Sequence, residues 1–502
     1  MRRNTLFTVL AIPAVAIGLA LTGCVDERIV YRDRELFATP PTGAAGFIGY
    51  SNEADKLTVC GNCHIGQQAR WQETAHANAF ADMAAHTAAT AVCEGCHSTS
   101  QLGNIIDTNA GYVATKDVRY KDVQCEACHG PGLTHVQNPS KATVGSVLAP
   151  MGLGGTALNV GCAECHAGAH LPYGEEWAAS RHGSGASYIS AGGRAECKEC
   201  HTAEDALIKF GINANYLEKA THLPSLTQNM SITCGVCHDP HANHAEGQLR
   251  YPVDVAALDQ NLCMKCHYKR GNPDPTTFRG PHSPEGPVIL GEGGWWSPLM
   301  VATYPLGRVE TTHGSTTANP KLCASCHLNK FQYTDAATGR TLTSSGHTFE
   351  AIPCLDANGA PIVKGTCAPE QRTFQTCTGS GCHGNENIAR GLVANVELEI
   401  NNLLAQLNTE LVKINANWQT CRNNNTCAPF QGQPSPFNFV AGQYTVAQGA
   451  AFNYDLGLRQ SAGIHNPILV KALLLTSILQ VRSEYNLTGA LNIDVPPQFR
   501  QN

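Results

Sequence analysis

The pattern Cys-x-x-Cys-His occurs eight times in this chain of 502 residues. In order, the copies are Cys60/Cys63/His64, Cys93/Cys96/His97, Cys125/Cys128/His129, Cys162/Cys165/His166, Cys197/Cys200/His201, Cys234/Cys237/His238, Cys263/Cys266/His267 and Cys323/Cys326/His327. A ninth, CTGSGCH, separates Cys377 from Cys382 by four residues before His383. Two thiols three apart lie on one side of a helical turn. From there each can add to one vinyl group of a single porphyrin, and the histidine that follows gives the iron its proximal nitrogen. This is the attachment signal of haem c. Zinc would leave a histidine beside every pair and lacks paired motifs at zinc-finger spacing. In the ninth copy Gly379, Ser380 and Gly381 supply a looped-out link; the alternative is a plain Cys377–Cys382 disulfide.

Each iron needs a further ligand or an open position, and that choice separates electron transfer from catalysis. Nine of the 21 histidines are proximal, which leaves twelve. The nine distal candidates, chosen by context, are His76 in RWQETAHA, His135 in CEACHGPGLTH, His182 in EEWAASRHG, His222 in THLP, His241 in CHDPH, His282 in GPHSP, His313 in TTHG, His347 in GHTF and His465 in GIHNP. His86, His170 and His244 are left as surface groups or groups lining a ligand. His135 follows His129 through Gly130-Pro131-Gly132, a tight-turn sequence. It reaches a neighbouring haem more easily than the far face of its own, and the same holds for His241 after His238. These two are expected to act as clasps, each beside one haem and ligating the next.

Export fits this chemistry. Arg2 and Arg3 precede an apolar run from Leu6 to Leu21, and Thr22-Gly23-Cys24 closes it. The run reads as an export signal, and its end resembles the lipobox of bacterial lipoproteins, which implies a lipid anchor at Cys24. With eighteen cysteines in thioethers and Cys24 lipidated, Cys354, Cys367, Cys421 and Cys427 remain. Of their three pairings, short loops favour Cys354–Cys367 and Cys421–Cys427. The net charge of −6, with no basic run beyond the signal, argues against a nucleic-acid partner.

The elements that must position these groups are short. Motifs recur every 30 to 37 residues or so between 50 and 270, too closely for each haem to own a conventional domain. The expected fold is mainly α with extensive irregular coil and little sheet, its interior packed with haem, ending in a C-terminal helical hairpin. The expected divisions are a signal peptide at 1–23, a linker at 24–54, a seven-haem region at 55–270, a two-haem region with long loops at 271–385, and the hairpin at 386–502. Segments such as GGWWSPLM are expected to form loops over the haems. Leu392, Val396, Ile400, Leu403, Leu407 and Leu411 have helical spacing, and Pro467 suits the first turn of a second helix. The hairpin is expected to be pinned by Cys421–Cys427 and to bring His465 back to a haem, with the ninth as its candidate.

The signal, the motif count and elements such as CEACHGPG, EEWAASRHG, CHDPH and GIHNP resemble multihaem c-type cytochromes of bacterial respiration, over roughly residues 55–485. GIHNP is similar to a C-terminal distal-histidine segment of pentahaem nitrite reductases and their octahaem relatives, but the CxxCK motif of the former is absent. The nearer resemblance is to lipid-anchored outer-membrane cytochromes of extracellular electron transfer. It implies nine haem c groups and an electron carrier at the outer membrane, on its periplasmic or cell-surface face. The implied partners are a periplasmic cytochrome, a porin–cytochrome complex or further copies of the chain. The alternatives are a reductase of nitrite, hydroxylamine or a sulfur oxyanion, and a subunit of a haem filament.

Overall fold

A computed structural model of the chain describes residues 37–139, 161–168, 172–184, 194–212, 230–334, 339, 341–356, 361–362, 367–379 and 382–499. The signal peptide, Cys24, His170 and His222 lie outside the described residues. From residue 50 onward short helical turns alternate with irregular connections, and among the described residues the sheet consists of three two-stranded antiparallel hairpins. β1 (Tyr50–Asn52) pairs with β2 (Leu57–Thr58), β3 (Phe331–Thr334) with β4 (Thr341–Ser344), and β5 (Cys354–Leu355) with β6 (Pro361–Ile362). Both favoured disulfides are present, Cys354–Cys367 beside the last hairpin and Cys421–Cys427 in the C-terminal part. The described residues from Thr39 onward form one compact unit.

Part of the expected linker is packed. Ala44, Phe47, Ile48 and Tyr50 are buried. The Ile48 and Gly49 N–H groups donate to the Glu126 carboxylate at 3.0 and 2.8 Å, which ties this strand of chain to the third motif.

The C-terminal part holds more than a hairpin. α1 (Glu285–Ile289) and α2 (Pro298–Thr303) lead into it. α3 (Glu386–Ile414) is capped by the Asn385 side chain, which accepts from Ile388 N. α4 (Val446–Gly457) starts at a Thr445/Gln448 capping box. α5 (Gln460–His465) runs into α6 (Pro467–Glu484), with Asn466 as its cap and Pro467 in the first turn. α4 and α6 pack together, and α3 packs on α6. Leu404, Leu407, Leu411, Ile414, Leu469, Leu473, Leu474 and Ile478 centre the shared core. Leu392, by contrast, is exposed. α3 has 29 residues and α6 has 18, so at 1.5 Å per residue α3 overhangs its partner by about 16 Å. Of the α3 residues, Ile400, Leu404, Leu407, Leu411 and Ile414 are the buried members of this core.

α4 was not expected. Its sequence has weak periodicity because it is buried on nearly every side. GGWW joins this core rather than forming loops over the haems. Met300 of α2 is fully buried there. Asn453 of α4 accepts from Trp295 N at 2.7 Å and donates to Trp295 O at 2.8 Å. A Cβ on Gly449 would sit 2.1 Å from the Trp295 ring, so only glycine admits it.

Candidate haem-binding sites

Each motif folds as a single tight turn. The histidine N–H returns to the carbonyl of the first cysteine: His64 to Cys60 at 2.9 Å, His97 to Cys93 at 3.2 Å, His166 to Cys162 at 2.9 Å, His238 to Cys234 at 2.8 Å and His267 to Cys263 at 3.0 Å. The third, fifth and eighth motifs lie in the helices Cys125–His129, Ala195–His201 and Cys323–His327. His383 makes the same bond to Cys377 at 3.2 Å, despite two additional residues between them. The stretched motif therefore closes as the others do.

Eight of the nine distal candidates lie opposite a proximal histidine. The ring-centroid separations are 6.4 Å for His64/His135, 6.1 Å for His76/His166, 6.0 Å for His129/His241 and 6.1 Å for His182/His267. They are 5.9 Å for His201/His282, 6.3 Å for His238/His347, 6.3 Å for His313/His383 and 6.1 Å for His327/His465. Metal–imidazole bonds of about 2 Å, with a ring nitrogen about 1 Å from its centroid, put two axial rings about 6 Å apart. The spacing thus fits one iron between each pair. Among the described residues no three His, Cys, Asp or Glu side chains converge as a metal cage. His135 faces the first motif rather than its own, and His241 faces the third. His465 faces His327 of the eighth motif, not the ninth; His383 there faces His313. GIHNP still serves both sites, because Ile464 O accepts from His313 Nδ1 at 2.8 Å.

The thiols link different motifs. Cys60 lies beside Cys125, Cys165 beside Cys96, Cys234 beside Cys162, Cys266 beside Cys200 and Cys263 beside Cys323. At longer range Cys128 senses Cys162, Cys263 senses Cys237, and Cys326 senses Cys377. These contacts repeat with a step of three motifs. First–third matches fourth–sixth, second–fourth matches fifth–seventh, and third–fourth matches sixth–seventh. Seventh–eighth and eighth–ninth follow the same pattern with no side motif.

Side chains outside the motifs obey the same step. Trp71 Nε1 donates to Val123 O at 3.0 Å, and Trp177 Nε1 to Ile232 O at 2.8 Å, in each case two residues before a motif. Five residues after each tryptophan stands a paired histidine, His76 or His182. The Thr74 and Ser180 hydroxyls each donate back to the tryptophan carbonyl at 2.7 Å. The likeness of RWQETAHA to EEWAASRHG is the sequence signal of this repeat. Two buried carboxylates complete the frame, and neither was singled out from the sequence. Glu126 accepts from Gly132 N at 2.7 Å, besides Ile48 and Gly49, and so holds the turn that carries His135. Glu176 accepts from Ser345 N at 3.0 Å and His347 N at 2.8 Å, which seats His347 opposite His238.

Burial pushes His76, His182, His347 and His465 down to about 4. Near neutrality they are uncharged imidazoles, the form that ligates metal. Burial pushes Glu126 up to about 7, against the lowering effect of its three backbone donors. Of the left-over histidines, His86 is exposed, and His244 Nε2 lies 3.1 Å from Asp239 Oδ2.

A family model for cytochrome c554 and c-prime matches residues 59–130. A second, for a doubled CXXCH motif, matches residues 226–272. The chain matches no curated protein. Among solved structures, the crystal structure of the outer cell wall cytochrome OcwA is similar at 17% identity, with a TM-score of 0.44, over 78% of this chain and 75% of that one.

Proposed function

We propose that in this multihaem c-type cytochrome all nine motifs carry haem c between paired histidines, as one conduit for electrons. The observation that carries this reading is the set of eight imidazole pairs at 5.9 to 6.4 Å. An iron ligated from both sides has no position left for a substrate. Haem supplies an iron that takes up and releases one electron; the protein decides where each iron stands and what surrounds it. The thiols tether, the imidazoles clamp, and Trp71, Trp177, Glu126 and Glu176 lock the segments that deliver the distal rings.

The thiol contacts supply an order. The first, third, fourth, sixth, seventh, eighth and ninth sites form a trunk, with the second beside the fourth and the fifth beside the seventh. Of the motif cysteines, Cys63 and Cys382 are exposed. They belong to the first and ninth motifs, the two ends of the trunk, where redox partners would approach. The N-terminal signal and Cys24 favour an exported lipoprotein of the outer membrane. Such a protein would carry electrons from a periplasmic or membrane donor to an extracellular or terminal acceptor.

Carbon monoxide tests the ligation. Added to the fully reduced protein, it leaves the Soret band unchanged if both axial positions are filled throughout. A shift in a large share of the haems would overturn the reading and favour a reductase.

A further inference from the structure

The proximal histidine of the seventh motif has a neighbour unlike those of several other sites. Glu285, the first residue of α1, places Oε2 3.5 Å from His267 Nδ1. That is long for a hydrogen bond, but the oxygen is buried and has no other partner among the described residues. The backbone is built to hold it there. Gly286 N donates to His267 O at 2.7 Å, and a Cβ at Gly286 would stand 2.7 Å from that same oxygen. Val288 and Ile289 of α1 are buried, and Ile289 packs with Met264 from inside the seventh motif.

At four other axial histidines Nδ1 meets a neutral carbonyl. His97 meets Ala79 O at 2.9 Å, His238 meets Gly247 O at 2.7 Å, His327 meets Phe349 O at 2.7 Å, and His313 meets Ile464 O. His241 lies 3.7 Å from Asp239, but Arg250 shares that carboxylate at 3.4 Å and offsets its charge. A carboxylate facing Nδ1–H draws the proton toward itself and makes the opposite ring nitrogen a stronger donor to the metal. Stronger donation favours ferric over ferrous iron, and so lowers the reduction potential.

We propose that Glu285 is a positioning residue that lowers the potential of the His182/His267 site. The inference rests on the paired-histidine reading. The site adjoins the fifth, sixth and eighth motifs through Cys266, Cys263 and their partners. Glu285 therefore sets the potential where a side site joins the trunk.

The test is a redox titration of the complete haem-loaded protein, followed by low-temperature electron paramagnetic resonance, in wild type, Glu285→Gln and Glu285→Asp. Glutamine keeps the shape and removes the charge. One low-spin signal is expected to shift so that its ferric-to-ferrous equilibrium moves about tenfold toward ferrous, which is about 59 mV for one electron. Aspartate keeps the charge and leaves that signal near its wild-type potential. It also serves as the reference should glutamine impair folding, since a wild-type potential in Glu285→Asp alongside a raised one in any folded neutral variant, such as Glu285→Met, makes the same case. If every signal stays low-spin and none shifts in the neutral variants, the tuning role is overturned while the ligation reading stands. If wild type already lacks the low-spin signals, the ligation reading fails and the inference with it.

Discussion

The C-terminal bundle and the motif-rich stretch from residue 50 to 270 bury different kinds of interior. In the bundle, 25 buried residues form one apolar cluster centred on α3, α4 and α6. The largest described cluster within the motif-rich stretch has seven, around Ala203, Leu207 and Met230. The bundle also contains a paired buried carboxylate: Glu410 accepts from Arg482 at 2.9 Å and from Lys413 at 2.8 Å. The bundle thus has a large side-chain core of its own. In the motif-rich stretch short turns are held by caps and buried carboxylates, and much of the hydrophobic contact must come from bound porphyrin. Such a region folds with its cofactor, as metal-dependent domains do.

The largest effect expected from this difference is seen when haem is not attached. Chain made without haem attachment should be digested rapidly between residues 55 and 270, while a fragment spanning roughly 285–499, which holds every buried residue of the bundle core, survives limited proteolysis. Equal resistance of both parts would break the comparison. Next in size is Leu407→Ala, at the fully buried centre of the bundle. It should cost about 2–5 kcal/mol, seen as faster hydrogen exchange in α3 and α6 with an unaltered Soret band.

Glu126 probes the other region. Its folded value near 7 lies above the ordinary value of 4.5, so its contribution to stability is full below about pH 4.5 and is lost as pH rises through 7. The loss is about 3 kcal/mol. Thermal melts across that window should fall in wild type and flatten in Glu126→Gln. The smallest effect belongs to the partly exposed Lys471–Glu399 pair, 2.6 Å apart on the bundle surface. Glu399→Gln should change stability by less than about 1 kcal/mol, and a loss as large as that of Leu407→Ala would mean that surface charge matters to the bundle as much as its core does.

Much of the site could be read in the sequence because the chemistry is local. Two thiols and an imidazole in five residues need no tertiary information, and the two disulfides close short loops. The partners of the histidines could not be read. His313 meets His383 across 70 residues and His327 meets His465 across 138, and nothing in GIHNP says which motif its turn will face. The helical spacing of α3 and Pro467 at the start of α6 announced those helices. α4 gave no such sign, because a segment enclosed by Trp295, α3 and α6 has no polar face. Glu126, Glu176 and Glu285 look like surface residues in sequence; only folding reveals the backbone amides and the imidazole that they face.

Low-temperature electron paramagnetic resonance of the oxidised protein, with spins counted per polypeptide, addresses the central claim most directly. Histidine ligation from both sides at every motif predicts low-spin ferric signals that sum to nine irons, one for each motif in the sequence. A high-spin signal from several irons, or a total well below eight, would contradict it.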